Sequence, residues 1–246
     1  MFHKNTNSAF LKTDKSMINT TFKKRGKPIN GWNEEDRKQS LDYQLWCQQW
    51  MSELFIITKE ASPILLFSSR RNLHRVGVAL ENSGFLIRDV LIWEKDKCNI
   101  KAQRINNILH KRGIYDDMFN DYRVGNLAPY YEPIIWAMKP YSNTITDCVL
   151  NNHIGGFVGE NGTVPSNIIK CDCNKKNEYH PTQKPLELME KLIKLFTITD
   201  DTTILDPFMG SGTTGVACKN LNRKFIGMEI NKNFYEIAKK RINMNL

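Results

Sequence analysis

The stretch 203-TILDPFMGSGTTGVACKNLNRKFIGMEI-230 decides how the chain is read. Thr203 to Phe208 reads as a strand and 210-GSGTTG-215 as a G-x-G-x-x-G turn; Thr213 to Asn222 reads as a helix and Lys224 to Met228 as a second strand, which Glu229 ends. Glycine suits such a turn because any side chain would hold a ligand away from the backbone, and the helix start adds unpaired N–H groups with partial positive charge. Glu229 stands nineteen residues after Gly210, where a carboxylate at a strand tip can accept hydrogen bonds from both hydroxyls of a ribose. Glycines, flanking elements and acid in register therefore point to a nucleoside-bearing cofactor rather than to a bare structural turn.

The position of this unit says which cofactor. A dinucleotide-binding fold opens with its glycine loop and then adds several βα units, whereas here one further helix fits, 232-KNFYEIAKKRIN-243. The remaining strands must come from the N-terminal side, so the sheet is circularly permuted relative to a nicotinamide-binding domain, and an oxidoreductase resting on the glycine pattern alone fails on topology.

Working outward, 180-HPTQKPLELMEKLIKLF-196 has Pro185 suited to a helix's first turn, and Leu186, Met189, Ile193 and Phe196 at helical spacing. Residues 1–33 are polar, with the basic run 23-KKRGK-27. A helix is expected over 35–59, its apolar face made of Leu41, Leu45, Trp46, Met51, Leu54 and Phe55. The run 64-ILLFSS-69 reads as a buried strand, 71–84 as an amphipathic helix, and 85-FLIRDVLIWEK-95 as another strand. Residues 96–128 are basic and polar with one short helical stretch, 132-EPIIWAMK-139 is a strand, and 140–179 reads as long loops. The alternation of helix and strand is that of an α/β sheet.

At 246 residues, 41% hydrophobic and 25% charged, the chain is long enough to bury a real core. No apolar run approaches a membrane span and no signal-peptide core opens the chain, so the expectation is a cytoplasmic protein with no membrane partner. A formal charge of +9 favours a polyanionic partner. The six cysteines are expected as reduced thiols. The pair Cys171 and Cys173 lacks the spacing and the second ligand pair of a zinc site, so no metal is expected.

Together, 180-HPTQKPLELMEKLI-193 and 205-LDPFMGSGTTGVACKNLNRKFIGMEI-230 resemble the tenth and first motifs of the permuted, amino-methylating DNA methyltransferases, which act on adenine N6 or cytosine N4. The front half is similar too: 64–95 resembles the strand, helix and strand beyond that family's catalytic loop, and 131-YEPIIWAMK-139 the strand after its recognition region. The resemblance implies a Rossmann-like α/β sheet in a single methyltransferase domain over 1–246. A target-recognition region over 96–179 is interrupted by the core strand near 132–139.

The resemblance implies roles residue by residue. Asp206, Phe208, Gly210, Gly212, Thr213 and Thr214 would line the S-adenosylmethionine pocket, and Glu229 would hold the ribose. Thr182, Gln183, Lys184 and Pro185 would close the methionine end, with Lys184 a candidate partner for the carboxylate. Lys95, Lys97, Lys101 and Arg104 would meet phosphates or bases of double-stranded DNA.

The same resemblance implies a catalytic loop reading Asp, Ser or Asn, then Pro-Pro, then an aromatic. Its polar groups localise the lone pair of a flipped-out base amine for attack on the sulfonium methyl. The sequence contains no Pro-Pro, and 128-APY-130 follows a polar loop rather than a buried strand. The expectation is therefore a methyltransferase, adenine N6 ahead of cytosine N4, that lacks its N-terminal strands and catalytic loop and is inactive alone. A homodimer or a complementing N-terminal fragment is the candidate assembly. The alternative is a non-catalytic DNA-binding or partner subunit of a modification system.

Overall fold

The computed structural model describes residues 34–98, 100, 102–173, 179, 180 and 182–243. The basic run 23–27 and Lys101 lie outside these residues. In chain order the elements are α1 (Glu34–Ile57), β1 (Pro63–Phe67), α2 (Leu73–Asn82), β2 (Leu86–Glu94), β3 (Gln103–Arg104), α3 (Asn106–Leu109), β4 (Arg123–Val124) and β5 (Tyr131–Met138). There follow α4 (Ile145–Asn152), β6 (Ile168–Lys170), α5 (Leu186–Phe196), β7 (Thr203–Asp206), α6 (Thr213–Asn220), β8 (Lys224–Gly227) and α7 (Lys232–Asn243). None of the described helices is long and apolar enough to cross a membrane.

Four strands form one sheet in the order β1-β5-β2-β6. β5 runs antiparallel to both β1 and β2, and β6 runs parallel to β2. Alternate residues of β1 face opposite layers, as strand geometry requires: Ile64 and Leu66 join the cluster beneath α1 and α2, while Leu65 and Phe67 join the cluster beneath α5. β5 divides likewise, Ile135 and Ala137 to one layer and Ile134 and Trp136 to the other. The sheet is thus covered on both faces, which is why its strands read as continuous apolar runs.

β7 and β8 pair in parallel as a separate two-stranded sheet, Thr203 opposite Lys224 through Asp206 opposite Gly227. Among the described residues no strand lies along β1 on the side away from β5, nor along β7 on the side away from β8. α5 reaches both pieces: Leu188, Leu192 and Phe196 pack on the four-stranded sheet, and Ile193 packs with Ala217 and Cys218 of α6 beside Ile204 and Phe225.

Three expectations need correction. The inward stripe of α1 is Tyr43, Trp46, Cys47, Trp50, Met51, Leu54 and Phe55, whereas Leu41 and Leu45 are 40% and 58% exposed. Amphipathic Tyr and a thiol take the core positions that a count of aliphatics assigns elsewhere. Residues 140–179 are not all loop, because α4 is closed by a capping box in which Thr144 Oγ1 accepts from the Asp147 amide and Asp147 accepts from Thr144. β6 adds an edge strand too short to show alternation. Residues 96–128 carry, besides short helical turns, a two-stranded ribbon that sets Gln103 opposite Val124 and Arg104 opposite Arg123.

Candidate cofactor site and nucleic-acid interface

The glycine turn is shaped by the residues at its two ends. Asp206, the last residue of β7, accepts from the Phe208 amide at 3.0 Å and from Thr214 Oγ1 at 2.6 Å, so its carboxylate ties the end of the strand to the start of α6. Met228 donates to the Asp206 carbonyl and Met209 to that of Met228, extending the β7–β8 pairing past the strand ends. Gly210 and Gly212 have φ of 54° and 80°, the left-handed region that glycine enters without steric cost. At Gly212 there is a second reason: a Cβ would lie 2.8 Å from the Cβ of Ala238, so α7 packs against bare backbone at the start of α6.

Glu229 lies where β8 runs out. Its Oε2 accepts from the Gly210 amide at 3.0 Å and its Oε1 from the Asn231 amide at 2.8 Å. One bond to each oxygen fixes the carboxylate while leaving acceptor capacity on both. Phe208 turns toward α1, its ring 5.0 Å from Trp50 and 6.0 Å from Trp46.

The loop before α5 lies over this turn. His180 packs its ring edge to face on Phe234 at 4.4 Å, and the position a Gly210 Cβ would occupy is 3.5 Å from His180 Cδ2. The Thr182 amide donates to His180 Nδ1 at 3.2 Å, with Thr182 Oγ1 at 3.1 Å from the same atom. Burial pushes the His180 imidazole down to about 4, so it is neutral near pH 7. Gln183 Oε1 accepts from the Tyr179 amide. Arg241, in the last turn of α7, donates to the Ser211 carbonyl at 2.6 Å and to Ser211 Oγ at 3.0 Å, and its guanidinium lies 4.7 Å from the centre of the Tyr179 ring.

Lys184 reaches the four-stranded sheet. Its Nζ donates to Glu132 Oε2 at 2.6 Å, and Lys95 Nζ donates to Glu132 Oε1 at 3.0 Å. Burial alone pushes the Glu132 carboxyl up, but the two ammonium groups overrule it and hold it at about 2. Burial pulls the Lys184 ammonium below its usual range despite its carboxylate partner. Pro185 is the residue just before α5 begins.

The structure thus brings Asp206, Phe208, Gly210, Gly212, Thr213, Thr214 and Glu229 together around one turn, and carries Thr182 and Gln183 over it through His180. The three described basic candidates are separated. The Lys95 side chain is 11% exposed and belongs to the Glu132 cluster, while Lys97 is exposed beside Asp96. Arg104 is exposed on the small ribbon, and its register partner is another arginine, Arg123. Tyr115 and Tyr122 in the same segment are 77% and 61% exposed. Sequence reasoning missed Glu132, His180, Ser211 and Arg241 as parts of the site. His180 opens the quoted 180-HPTQKP motif and could have been chosen, whereas Arg241 meets Ser211 only through tertiary packing. Among the described residues no group of three or more His, Cys, Asp or Glu side chains could hold a metal ion.

Comparison with known proteins gives a consistent picture. Residues 12–240 match a family described as DNA methylase, of N6 and N4 type. The chain is 42% identical to the type II methyltransferase M.HindIII of Haemophilus influenzae, over 99% of this chain and 84% of that protein. It is 32% identical to the type II methyltransferase M2.LlaDCHI of Lactococcus lactis subsp. cremoris, covering 80% of this chain and 65% of that one. Among solved structures, the M1.HpyAVI complex with S-adenosylmethionine aligns with a TM-score of 0.60 at 28% identity, covering 87% of this chain and 86% of that chain. The cytosine-N4-specific PvuII methyltransferase shares the fold, with a TM-score of 0.56 at 18% identity.

Proposed function

The chain belongs to the N6 and N4 DNA methylase family, and from that premise we propose that its glycine turn holds S-adenosylmethionine and that its 96–179 region, apart from the core strand β5, faces double-stranded DNA. Glu229 takes the ribose, the surface formed by Asp206, Phe208, Gly210, Gly212, Thr213 and Thr214 receives the rest of the nucleoside, and Thr182, Gln183, Lys184 and Pro185 close the methionine end. Bound there, the cofactor supplies an electrophilic methyl group on a sulfonium. Support comes from the fixed carboxylate of Glu229, each of whose oxygens already takes one amide and has room for a second donor. On the DNA side, Arg104 and Arg123 stand opposite each other on an exposed ribbon. Like charges so placed cost stability, and a phosphate between them offsets that cost.

The amine half of the reaction is a different matter. A base amine is a poor nucleophile until a carboxylate or amide side chain and a carbonyl draw on its N–H groups, and the Pro-Pro-aromatic loop that does so in the family is not in these 246 residues. We infer that this chain binds cofactor and DNA but does not transfer the methyl by itself, because no Pro-Pro-aromatic loop stands in its sequence. The observation that carries this reading is the division of the sheet. β1 and β7 each have one side without a strand among the described residues, beside a glycine turn whose ends are tied by Asp206 and Glu229.

The test is methyl transfer from labelled S-adenosylmethionine to duplex DNA by the purified chain. We expect none alone, and transfer when a segment with a strand followed by Asp-Pro-Pro-Tyr or Ser-Pro-Pro-Tyr is added or fused. Transfer by the chain alone would defeat the reading. The modified base in the restored product tells adenine N6 from cytosine N4. Saturable DNA binding with no cofactor binding would instead indicate a non-catalytic subunit.

A further inference from the structure

Glu132 is the only charged residue of β5, and it sits where β1 and β2 end and β5 begins. Two ammonium groups converge on its carboxylate, from Lys184 at 2.6 Å and Lys95 at 3.0 Å. Their surroundings are aromatic: Lys184 Nζ lies 4.8 Å from the centre of the Phe67 ring and 5.5 Å from that of Trp93, and Lys95 Nζ lies 5.1 Å from Trp93. The Lys184 side chain is 13% exposed, so water has little access to it. A lysine held this way is fixed in position, and so is the backbone that carries it.

That backbone belongs to the loop over the glycine turn. At the loop's other end, Tyr179 lies under Arg241 and His180 lies on Gly210 and Phe234. One end is therefore fastened to the β7–β8 side and the other to the four-stranded sheet, and Lys184–Glu132 is the polar fastening at the second end. We propose that Glu132 is a positioning residue for cofactor binding, acting through Lys184 to hold the segment before α5 that carries Thr182 and Gln183 against the glycine turn. This rests on the reading that the turn takes S-adenosylmethionine.

The experiment is a double-mutant cycle on S-adenosylmethionine affinity, measured by calorimetry on the 246-residue chain with Glu132→Gln, Lys184→Met and both together. Each single change is expected to weaken binding about tenfold, and the pair by clearly less than the product of the two, because both break the Lys184–Glu132 contact even though Glu132→Gln also takes the partner of Lys95. A merely structural role would lower the thermal midpoint of both variants and leave the affinity of the folded chain unchanged. Wild-type affinity in Glu132→Gln, or penalties that multiply in the pair, would overturn the proposal while leaving the cofactor reading intact. No binding by the unmodified chain would overturn the cofactor reading and this proposal with it. If Glu132→Gln does not melt cooperatively, Glu132→Asp carries the test, since it keeps the charge but shortens the reach. An intermediate loss is expected, and unchanged affinity would overturn the proposal.

Discussion

Glu229 and His180 show how differently two residues of one site present themselves in a sequence. Glu229 is legible because strand, turn and helix fix its distance from Gly210, and the structure puts its carboxylate on the Gly210 amide. Replacing it with alanine should weaken S-adenosylmethionine binding by at least tenfold, on the order of 1.4 kcal/mol, measured by calorimetry. Glu132 and Arg241 are not legible in that way, since their partners lie across the fold and no local spacing records them. His180 adds a pH dependence. Its folded pKa of about 4 lies below the ordinary 6.5, so between these values the unfolded chain binds a proton that the folded chain refuses. Its contribution is thus complete above pH 6.5 and falls as the pH drops toward 4, by at most about 3 kcal/mol. Urea denaturation at pH 7 and pH 4.5 should show a smaller difference for His180→Asn than for the wild type. An equal difference would mean that the imidazole is not the group responsible.

At the scale of elements, the long apolar strands and the βαβ unit could be read ahead, because buried strands are continuous and amphipathic helices periodic. Short elements could not. α4 has eight residues and β6 three, too few for a period to stand out, although the Thr144–Asp147 capping pair was a usable signal. The stripe of α1 differs from the expected one for a chemical reason, since Tyr43 and Cys47 pack as apolar residues and a count of aliphatics does not credit them; burial pushes the Cys47 thiol up to about 11. The contact of α7 with α6 offers an element-level prediction. Gly212→Ala would need an L side chain at φ 80° and place its Cβ 2.8 Å from Ala238. It should destabilise the chain by on the order of 3 kcal/mol, read as a lower midpoint in thermal unfolding. A change under 0.5 kcal/mol would show that α7 can move aside.

For the whole molecule, the permuted order was legible because the apolar strand runs of the sheet stand before the glycine turn in the sequence. The pairing of strands was not, since register is set by partners distant in the chain. The charge of +9 could be read as a total but not as a place; the fold draws Lys95 inward and leaves Arg104 and Arg123 out. If those two arginines meet phosphates, Arg104→Ala and Arg123→Ala should each weaken DNA binding across sequences and reduce its logarithmic salt slope by about one. Titrations at several salt concentrations would check this, and an unchanged slope would remove the ribbon from the interface. The open sides of β1 and β7 also reach beyond catalysis. Strand amides that point to such a side have no ladder partner among the described residues, so in deuterated water they should exchange early, while β5, paired on both flanks, should keep its protons longest. A polypeptide that fits the space would announce itself as slowed exchange in just those two strands, before any chemistry is assayed.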